Sequence, residues 1–312
     1  MVNKEKIFVS AVIYVHNAEN RMENFLKTII DVMEKNFEHS EIICVNDSSD
    51  DNSLKKIRET GESATTTSIS VVNMSYFHGR ELSMKAGLDI SIGDFVFEFD
   101  NTVLDFKPEL IMEIYGLSLK GFDIVSATAR RKEKLNSKMF YRIFDRFTDF
   151  SYRMSTESFR VLSRRVLNRV DSMNKTIPYR KAIYATSGLR TENIRYEVTD
   201  SKKEGMDKKE KHYYTGLAFD SLILFTEIGY SFSKLMTAFM MIMSVFMLTY
   251  SIAVYATANP VAGWTTTILF LSIAFFGLFG ILTIVIKYLQ LIVDLVFKRK
   301  QYSFESIEKL TK

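Results

Sequence analysis

The chain has 312 residues, 47% of them hydrophobic and 25% charged, so it is long enough to bury a substantial core. Its formal net charge is +4, from 41 basic and 37 acidic side chains, and that balance argues against a nucleic-acid-binding protein. A single cysteine, Cys44, excludes an intrachain disulfide framework and a cysteine-based zinc site.

The first 200 residues alternate between strand-like and helix-like hydrophobic patterns. The apolar runs that predict strands are residues 7–15, 41–45, 70–72, 94–99 and 123–126. The segments with helical spacing are residues 23–34, 82–90 and 108–119. This alternation predicts an α/β domain with a mostly parallel sheet over residues 1–200. Ligands of such sheets bind at the carboxyl ends of the strands, so polar residues there are the candidates for a functional site.

Two predicted strands are followed by carboxylates. Asp47 comes directly after the second strand, and Asp100 and Asp105 follow the fourth. One such carboxylate can accept the N–H of a nucleotide base, and another can hold a divalent cation on a pyrophosphate, because hard cations take oxygen ligands. Acidic and hydroxyl residues after strands also serve as turn and helix-capping groups, and this alternative stays open for residues 48–51.

Residues 201–233 combine a basic segment with an amphipathic pattern. Lysines and acidic residues crowd positions 202–211, which fits either a solvated loop or contact with anionic lipid headgroups. The apolar residues between 213 and 233 are interrupted by Asp220 and Glu227, and this pattern predicts an amphipathic interface helix.

A long uncharged stretch follows. No Asp, Glu, Lys, Arg or His occurs from Leu235 to Ile286, and Asn259–Gly263 interrupts the stretch near its middle. This predicts a two-helix transmembrane hairpin over residues 234–290, with spans at about 235–258 and 264–286. Basic residues flank the stretch and are absent from its turn, so both termini are predicted to be cytoplasmic, with 291–312 as a cytoplasmic tail. A buried hairpin of a soluble protein is the alternative.

Ordered landmarks along the whole chain resemble those of the inverting family 2 glycosyltransferases. The first are Val9–Asn20, Val45–Ser49, Ala86–Leu88, Gly93–Asp94, Asp100 with Asp105, Pro108–Glu109, Ala129–Lys132 and Phe140–Arg142. Later landmarks are similar to the membrane-anchored subgroup that makes polyprenyl-phosphate sugars, which includes dolichol-phosphate mannose synthases and bactoprenol glucosyltransferases. These are Phe159–Arg165, Gly205 with Lys208, Ala218–Asp220, Gly263–Trp264, Tyr288–Leu289, Lys298–Arg299 and Tyr302.

The resemblance implies a GT-A (Rossmann-like) fold in which a nucleotide-diphosphate sugar meets a lipid phosphate. The residues implied to bind the nucleotide-sugar are Asn17, Glu19 and Asp47, with Asp47 on the base. Those implied to be catalytic are Asp100, Asp105, Arg130 and Arg131, with Asp100 also holding Mg²⁺ or Mn²⁺. Those implied to bind the acceptor phosphate are Arg160 and Lys208.

The chain departs from the family pattern at four positions, of which Tyr14–Ala18 and Tyr76-Phe77 are two, and the other two bear on metal binding and proton removal. The usual Asp-X-Asp motif is Asp100-Asn101-Thr102, so its second carboxylate is missing, and we expect weaker metal binding. The residue before Phe159, often an Asp in the bactoprenol subgroup, is Ser158. A phosphate monoester is already anionic near neutral pH and needs no general base, so Ser158 is compatible with a phosphate acceptor.

The sequence therefore predicts an enzyme at the cytoplasmic membrane face. It transfers a sugar, with a UDP-hexose favoured as donor, to a polyprenyl phosphate with inversion, and gives a lipid-linked sugar for the cell envelope. Two alternatives stay open: a membrane-tethered, non-catalytic homologue with a degenerate site, and a transferase that acts on a glycolipid hydroxyl. The resemblance further suggests the lipid bilayer, a homo-oligomer and a lipid-sugar flippase as partners.

Overall fold

The computed structural model describes residues 4–130, 157–172, 179–199, 264–297 and 302–311, together with individual positions between 212 and 246. The chain divides into two compact units. The first comprises Met1–Asp145, Asp149–Ala218 and Lys300–Lys312, and the second comprises Arg146–Thr148 and Phe219–Arg299.

The first unit contains eight described strands and six described helices. The strands are β1 (Val9–Val15), β2 (Ser40–Asn46), β3 (Ser68–Met74), β4 (Phe95–Phe99), β5 (Ile124–Ala129), β6 (Phe159–Ser163), β7 (Thr191–Tyr196) and β8 (Phe304–Lys309). The helices are α1 (Glu19–Asn36), α2 (Ser53–Gly61), α3 (Arg80–Ile90), α4 (Glu109–Ser118), α5 (Arg164–Ser172) and α6 (Arg180–Thr186).

All eight strands form one sheet in the order β7-β5-β6-β4-β1-β2-β3-β8. The central strands β4, β1, β2 and β3 are parallel, whereas β6 runs antiparallel to both β4 and β5. The predicted α/β class is confirmed, and the sheet is mixed. Because Val15 pairs with Asn46 and Ile13 pairs with Phe99, the carboxyl ends of β1, β2 and β4 lie side by side.

The core lies on both faces of the central strands. Every residue of β1 is buried, as expected for a parallel strand that is covered on both faces. Helix α1 places Met22, Phe25 and Ile29 against one face of the sheet, at the spacing of a single helical stripe. Helix α3 packs closely at Gly87, where a Cβ atom would lie 2.5 Å from a methyl of Val12. The predicted strands and helices between residues 7 and 126 therefore form, whereas α2, α5, α6, β6 and β7 were not predicted.

The end of the chain is part of the sheet. The predicted tail 291–312 contains β8, which pairs antiparallel with β3. Asn73 donates to Ser306 Oγ at 3.0 Å, and Arg58 forms an ion pair of 2.8 Å with Glu308. A short strand with charged residues protects the sheet edge from pairing with other chains. Its register depends on β3, which is more than 200 residues away, so the local pattern could not predict it.

The described part of the second unit is dominated by helix α7 (Trp264–Phe297), which includes the second predicted span, 264–286. Within the residues that the structure describes, no helix is long and apolar enough to cross a membrane. Most of the first predicted span, 235–258, and all of the basic segment 202–211 lie outside the described residues. The predicted transmembrane hairpin is therefore not confirmed.

Candidate functional site

Two strand-to-helix turns interlock at the carboxyl ends of β1 and β2. Asn17 (φ 45°) and Ser48 (φ 51°) are both in the left-handed region, which residues other than glycine rarely adopt. The Asn17 N–H donates to Ser49 Oγ at 3.2 Å, and the Asp50 N–H donates to Asn17 Oδ1 at 2.9 Å. Strained residues persist where the surroundings hold them, and they cluster at functional sites. The two turns therefore form a fixed polar surface at this edge of the sheet.

Glu19 and Asp51 complete this surface. The Glu19 carboxylate accepts from the Asn52 N–H at 3.2 Å and from Asn52 Nδ2 at 3.0 Å. Asp51 accepts from the Glu19 N–H at 2.9 Å and from the Ser53 N–H at 3.0 Å. Burial opposes the charge on Asp51, but the hydrogen bonds from Ser53 and Glu19 outweigh it and lower the pKa of its carboxyl. Asp51 thus bonds the start of α2, in keeping with the capping alternative for residues 48–51.

Asp47 is fully buried at the end of β2, with 0% of its surface exposed. Its carboxylate accepts from the backbone N–H groups of His78 and Gly79, both at 2.8 Å, and from the Tyr14 hydroxyl at 3.0 Å. Gly79 has φ 82°, a conformation that favours glycine. Asp47 therefore fastens the loop between β3 and α3 to the sheet. That loop covers the Asp47 carboxylate in this conformation. The contact of Asp47 with the base therefore stays a prediction.

The same loop carries three aromatic rings, those of Tyr76, Phe77 and His78. Tyr76 is 60% exposed and stacks on His78 with 3.9 Å between ring centroids. Phe77 lies 4.8 Å from the ring of His16 and 6.0 Å from that of Tyr213. Flat aromatic faces stack on planar ligands, including nucleobases. The arrangement gives this edge of the sheet a surface on which a base can stack.

Asp100 lies at the end of β4 between two guanidinium groups. Its side chain is 2% exposed, Oδ2 accepts from Arg160 Nη2 at 2.9 Å, and Oδ1 accepts from Arg180 Nη2 at 2.7 Å. Burial opposes the charge on Asp100, but the nearby cations, Arg160 first among them, outweigh it and hold the pKa of its carboxyl well below the usual range. Asp100 is therefore an ionised, fully paired carboxylate.

Further buried acids hold the two arginines in place. Glu98 accepts from Arg160 Nη1 at 2.8 Å and from the Tyr184 hydroxyl at 2.6 Å. Glu81 Oε2 accepts from the Arg180 backbone N–H at 3.0 Å and from Arg180 Nε at 3.2 Å. Removing one member of such a buried network leaves a charge without its partner and costs several kcal/mol. The arginine cluster, defined as Glu81, Glu98, Asp100, Arg160, Arg180 and Tyr184, is thus a fixed unit at the end of β4.

The arginine cluster bears directly on the implied metal. Asp100 is the expected ligand of Mg²⁺ or Mn²⁺, yet each of its oxygens already accepts from a guanidinium. The residue at the second position of the motif is the buried Thr102, whose hydroxyl carries no charge. Within the described residues, no group of three or more His, Cys, Asp or Glu side chains is arranged to hold a metal ion. These residues therefore do not fit a divalent cation at Asp100.

Arg160, an implied ligand of the acceptor phosphate, is buried and paired. It is 0% exposed, because Glu98 and Asp100 hold its guanidinium inside the domain. In this conformation Arg160 is thus enclosed by acids of the domain, and its implied role as a ligand of the acceptor phosphate stays a prediction. The other implied phosphate ligand of the acceptor, Lys208, lies outside the described residues, and so does Arg131.

The remaining catalytic candidates lie nearby in the fold but are bonded separately. Asp105 Oδ1 accepts from the Tyr196 hydroxyl at 2.8 Å, and the hydroxyl oxygens of Tyr196 and Ser158 are 2.7 Å apart. Arg130 is exposed and forms an ion pair of 3.0 Å with Glu197. Ser158, at the position where the subgroup often has an Asp, is thus connected to Asp105 through Tyr196.

Sequence reasoning missed four members of the arginine cluster, namely Glu81, Glu98, Arg180 and Tyr184. One of them carried a signal, since Glu98 stands inside the apolar run of β4 and a buried charge requires a partner. Nothing in the local sequence of α6 distinguishes Arg180 from an ordinary surface arginine, because its partners come from β4 and α3.

The sequence profile of glycosyl transferase family 2 matches residues 10–171, just over half of the chain. The chain belongs to glycosyl transferase family 2. An uncharacterized glycosyltransferase of Synechocystis sp. is 29% identical over 226 residues, which cover 70% of each protein. A bactoprenol glucosyl transferase of Shigella phage SfV is 25% identical over 280 residues, 86% of this chain and 88% of that protein.

A third relative is an undecaprenyl-phosphate 4-deoxy-4-formamido-L-arabinose transferase of Proteus mirabilis, 26% identical over 207 residues. The alignment covers 64% of this chain and 62% of that protein. The prediction that this chain is a family 2 glycosyltransferase is therefore confirmed.

Proposed function

We propose that this family 2 glycosyltransferase transfers one sugar from a nucleoside-diphosphate sugar to a polyprenyl phosphate, with inversion at the anomeric carbon. The observation that carries the proposal is the similarity to relatives named for bactoprenol and for undecaprenyl phosphate, one of which aligns over 86% of this chain. Interlocked turns at Asn17 and Ser48, with the aromatic rings beside them, support a nucleotide site at the carboxyl ends of β1 and β2.

The reaction requires one bond to form and one to break. An oxygen of the acceptor phosphate bonds to the anomeric carbon as the bond from that carbon to the donor diphosphate breaks, and the electron pair leaves with the nucleoside diphosphate. No proton has to be removed, because the phosphate monoester is already anionic near neutral pH. Fixed cationic donors facing the leaving diphosphate then lower the barrier. Arg130, Arg131 and Lys208 stay proposed as phosphate ligands.

We place the reaction at the cytoplasmic face of a membrane. The uncharged stretch from Leu235 to Ile286, with basic residues beyond both of its ends, supports a membrane anchor. Anchoring holds the catalytic unit at the height of the acceptor headgroup and so raises the effective concentration of the acceptor. If alkaline carbonate extracts the protein from membranes as fully as a peripheral protein, this part of the proposal is wrong.

The test is turnover by the purified full-length protein. The donors are a panel of UDP- and GDP-sugars, and the acceptors are undecaprenyl phosphate and, as the matched control, undecaprenol. We expect one donor to give a lipid-linked sugar with undecaprenyl phosphate alone, and NMR of the product to show the inverted anomer. Product with undecaprenol, and none with the phosphate, would favour the hydroxyl-acceptor alternative.

A variant at the proposed nucleotide site, at the carboxyl ends of β1 and β2, sharpens this test. Asn17→Ala removes the side chain that bonds the second turn, and we expect turnover to fall at least about tenfold, the loss expected for roughly one hydrogen bond. The matched control is Asn24→Ala on the exposed face of α1, which should leave turnover unchanged. Equal turnover of the two variants would contradict a site at this edge.

The second candidate is a membrane-tethered homologue that binds nucleotide without catalysis. Full pairing of Asp100 by Arg160 and Arg180, with Thr102 beside it, is the observation that favours this alternative. It predicts nucleotide binding with no lipid product for any donor in the panel.

A further inference from the structure

Arg180 is held at the end of β4 with part of its hydrogen-bonding capacity unused. Its side chain is buried, with 4% of the residue surface exposed, while Nη2 donates to Asp100 and Nε donates to Glu81. Its Nη1 lies 3.8 Å from Glu98 Oε1, too far for a hydrogen bond. Among the described residues Nη1 has no hydrogen-bond acceptor. A buried, charged donor without an acceptor calls for a partner, and a bound ligand can supply it.

Resting on the proposed function, we propose that Arg180 binds the diphosphate of the donor through Nη1, so that its guanidinium supplies the positive charge that a divalent cation supplies in an Asp-X-Asp site. Arginine suits this role because its guanidinium stays charged at every relevant pH and its planar donors match phosphate oxygens. The cluster is also preorganised, since Glu81 and Asp100 already fix the orientation of Arg180.

The same pairing disfavours a divalent cation. Asp100 lies between two guanidinium groups at 2.7 and 2.9 Å, and each of its oxygens already accepts from one of them, so a cation at Asp100 would have to displace an arginine. Thr102 adds only a neutral hydroxyl. Donor binding by this chain is therefore independent of divalent metal. Arg180 supplies the positive charge that a metal ion held by the second carboxylate would supply.

The first experiment needs no variant. Binding of UDP and of GDP to the full-length protein in detergent is measured by calorimetry in excess EDTA, in MgCl₂ and in MnCl₂. For the nucleoside diphosphate that binds, we expect dissociation constants that agree within about twofold across the three conditions. If EDTA abolishes binding, or if neither diphosphate binds in any condition, the inference is wrong.

The second experiment separates a diphosphate ligand from a merely structural arginine. Arg180→Gln removes a charge-assisted hydrogen bond, so we expect the affinity for the diphosphate to fall by about tenfold or more. Affinity for the matching nucleoside monophosphate should change by less than about twofold. Arg169→Gln, on the exposed face of α5, is the matched control and should bind both nucleotides normally. Equal weakening of the two nucleotides in Arg180→Gln would overturn the inference.

Arg180→Lys distinguishes a loss of diphosphate binding from a failure of the protein to fold. It retains a positive charge between Glu81 and Asp100 and so preserves the cluster if Arg180→Gln does not fold. Because an ammonium group cannot reproduce the planar fork of donors, we expect a loss of diphosphate affinity between those of the wild type and of Arg180→Gln. Diphosphate affinity equal to that of the wild type, with a new requirement for Mn²⁺, would count against the inference.

The outcomes distinguish the inference from the proposed function. Sugar transfer that requires Mg²⁺ or Mn²⁺ leaves the proposed function standing and overturns the inference. Binding of a nucleoside diphosphate in EDTA, weakened by Arg180→Gln, supports the inference even if no lipid product forms.

Discussion

Asp47 and Asp100 occupy equivalent places in the sheet and are held in different ways. Each follows a central parallel strand and is almost fully buried. Asp47 accepts from two backbone N–H groups and a tyrosine hydroxyl, all of them neutral, whereas Asp100 accepts from two guanidinium groups. Burial of a carboxylate at a strand end therefore does not define its role. One of these carboxylates fixes a loop, and the other is the shared counter-ion of two buried arginines.

The largest expected effect is on the stability of Asp100→Asn. Two buried guanidinium groups lose their shared counter-charge, and we expect the free energy of unfolding to fall by about 3–5 kcal/mol. Chemical denaturation of the full-length protein in detergent measures this change. Asp31→Asn, on the exposed face of α1, should change stability by less than about 0.5 kcal/mol. A loss no larger than that of the control would mean that the arginines do not depend on Asp100.

Asp47→Asn should cost less, because its partners carry no charge. Asparagine keeps one acceptor oxygen but turns an N–H donor toward a backbone N–H, which costs about 1–3 kcal/mol. The loop at His78 and Gly79 loses its anchor, so hydrogen exchange in the peptide that covers this loop should accelerate. A loss of stability equal to that of Asp100→Asn would erase the distinction between the two carboxylates.

Acid titration tests whether Asp100 is stabilised by its positively charged partners. Cations hold the pKa of Asp100 below its unfolded value of about 3.9, so its stabilisation is complete above that pH and is lost as the pH falls toward the folded pKa. Wild-type stability should therefore decrease below about pH 4, by up to about 1.4 kcal/mol per pH unit from this group. Asp100→Asn should show a shallower decrease over the same range, and parallel curves would contradict the assignment.

Local pattern predicted the central part of the fold well. The run 7–15 became Val9–Val15 and the helical spacing over 23–34 became Glu19–Asn36, because burial on a sheet or along one helical stripe leaves a period in the sequence. The strand β8 was missed, since its pairing is set by a partner far away in the chain.

In the candidate site, too, the positions of residues were predicted better than their distant partners. Asp47 and Asp100 were predicted at strand ends because topology alone brings them to one edge of the sheet. Their partners were not predicted equally well, since Arg160 and Arg180 lie 60 and 80 residues beyond Asp100 and reach it only in the folded domain. Charge environment is a tertiary property, so the sequence did not predict that both oxygens of Asp100 accept from guanidinium groups.

The smallest expected effect concerns Asp105, which resembles Asp47 in bonding to a neutral hydroxyl. Ser158→Ala removes only the far end of the connection from Asp105 through Tyr196, at a stability cost of about 1 kcal/mol. If the acceptor is a phosphate monoester, turnover should stay within about threefold of the wild type, because no proton is removed from the nucleophile. If the acceptor is a hydroxyl that loses its proton through Ser158, turnover should fall by about 10²–10⁴. Steady-state kinetics of Ser158→Ala beside Tyr196→Phe separates these outcomes, since the tyrosine variant breaks the same connection from its middle while leaving Ser158 in place.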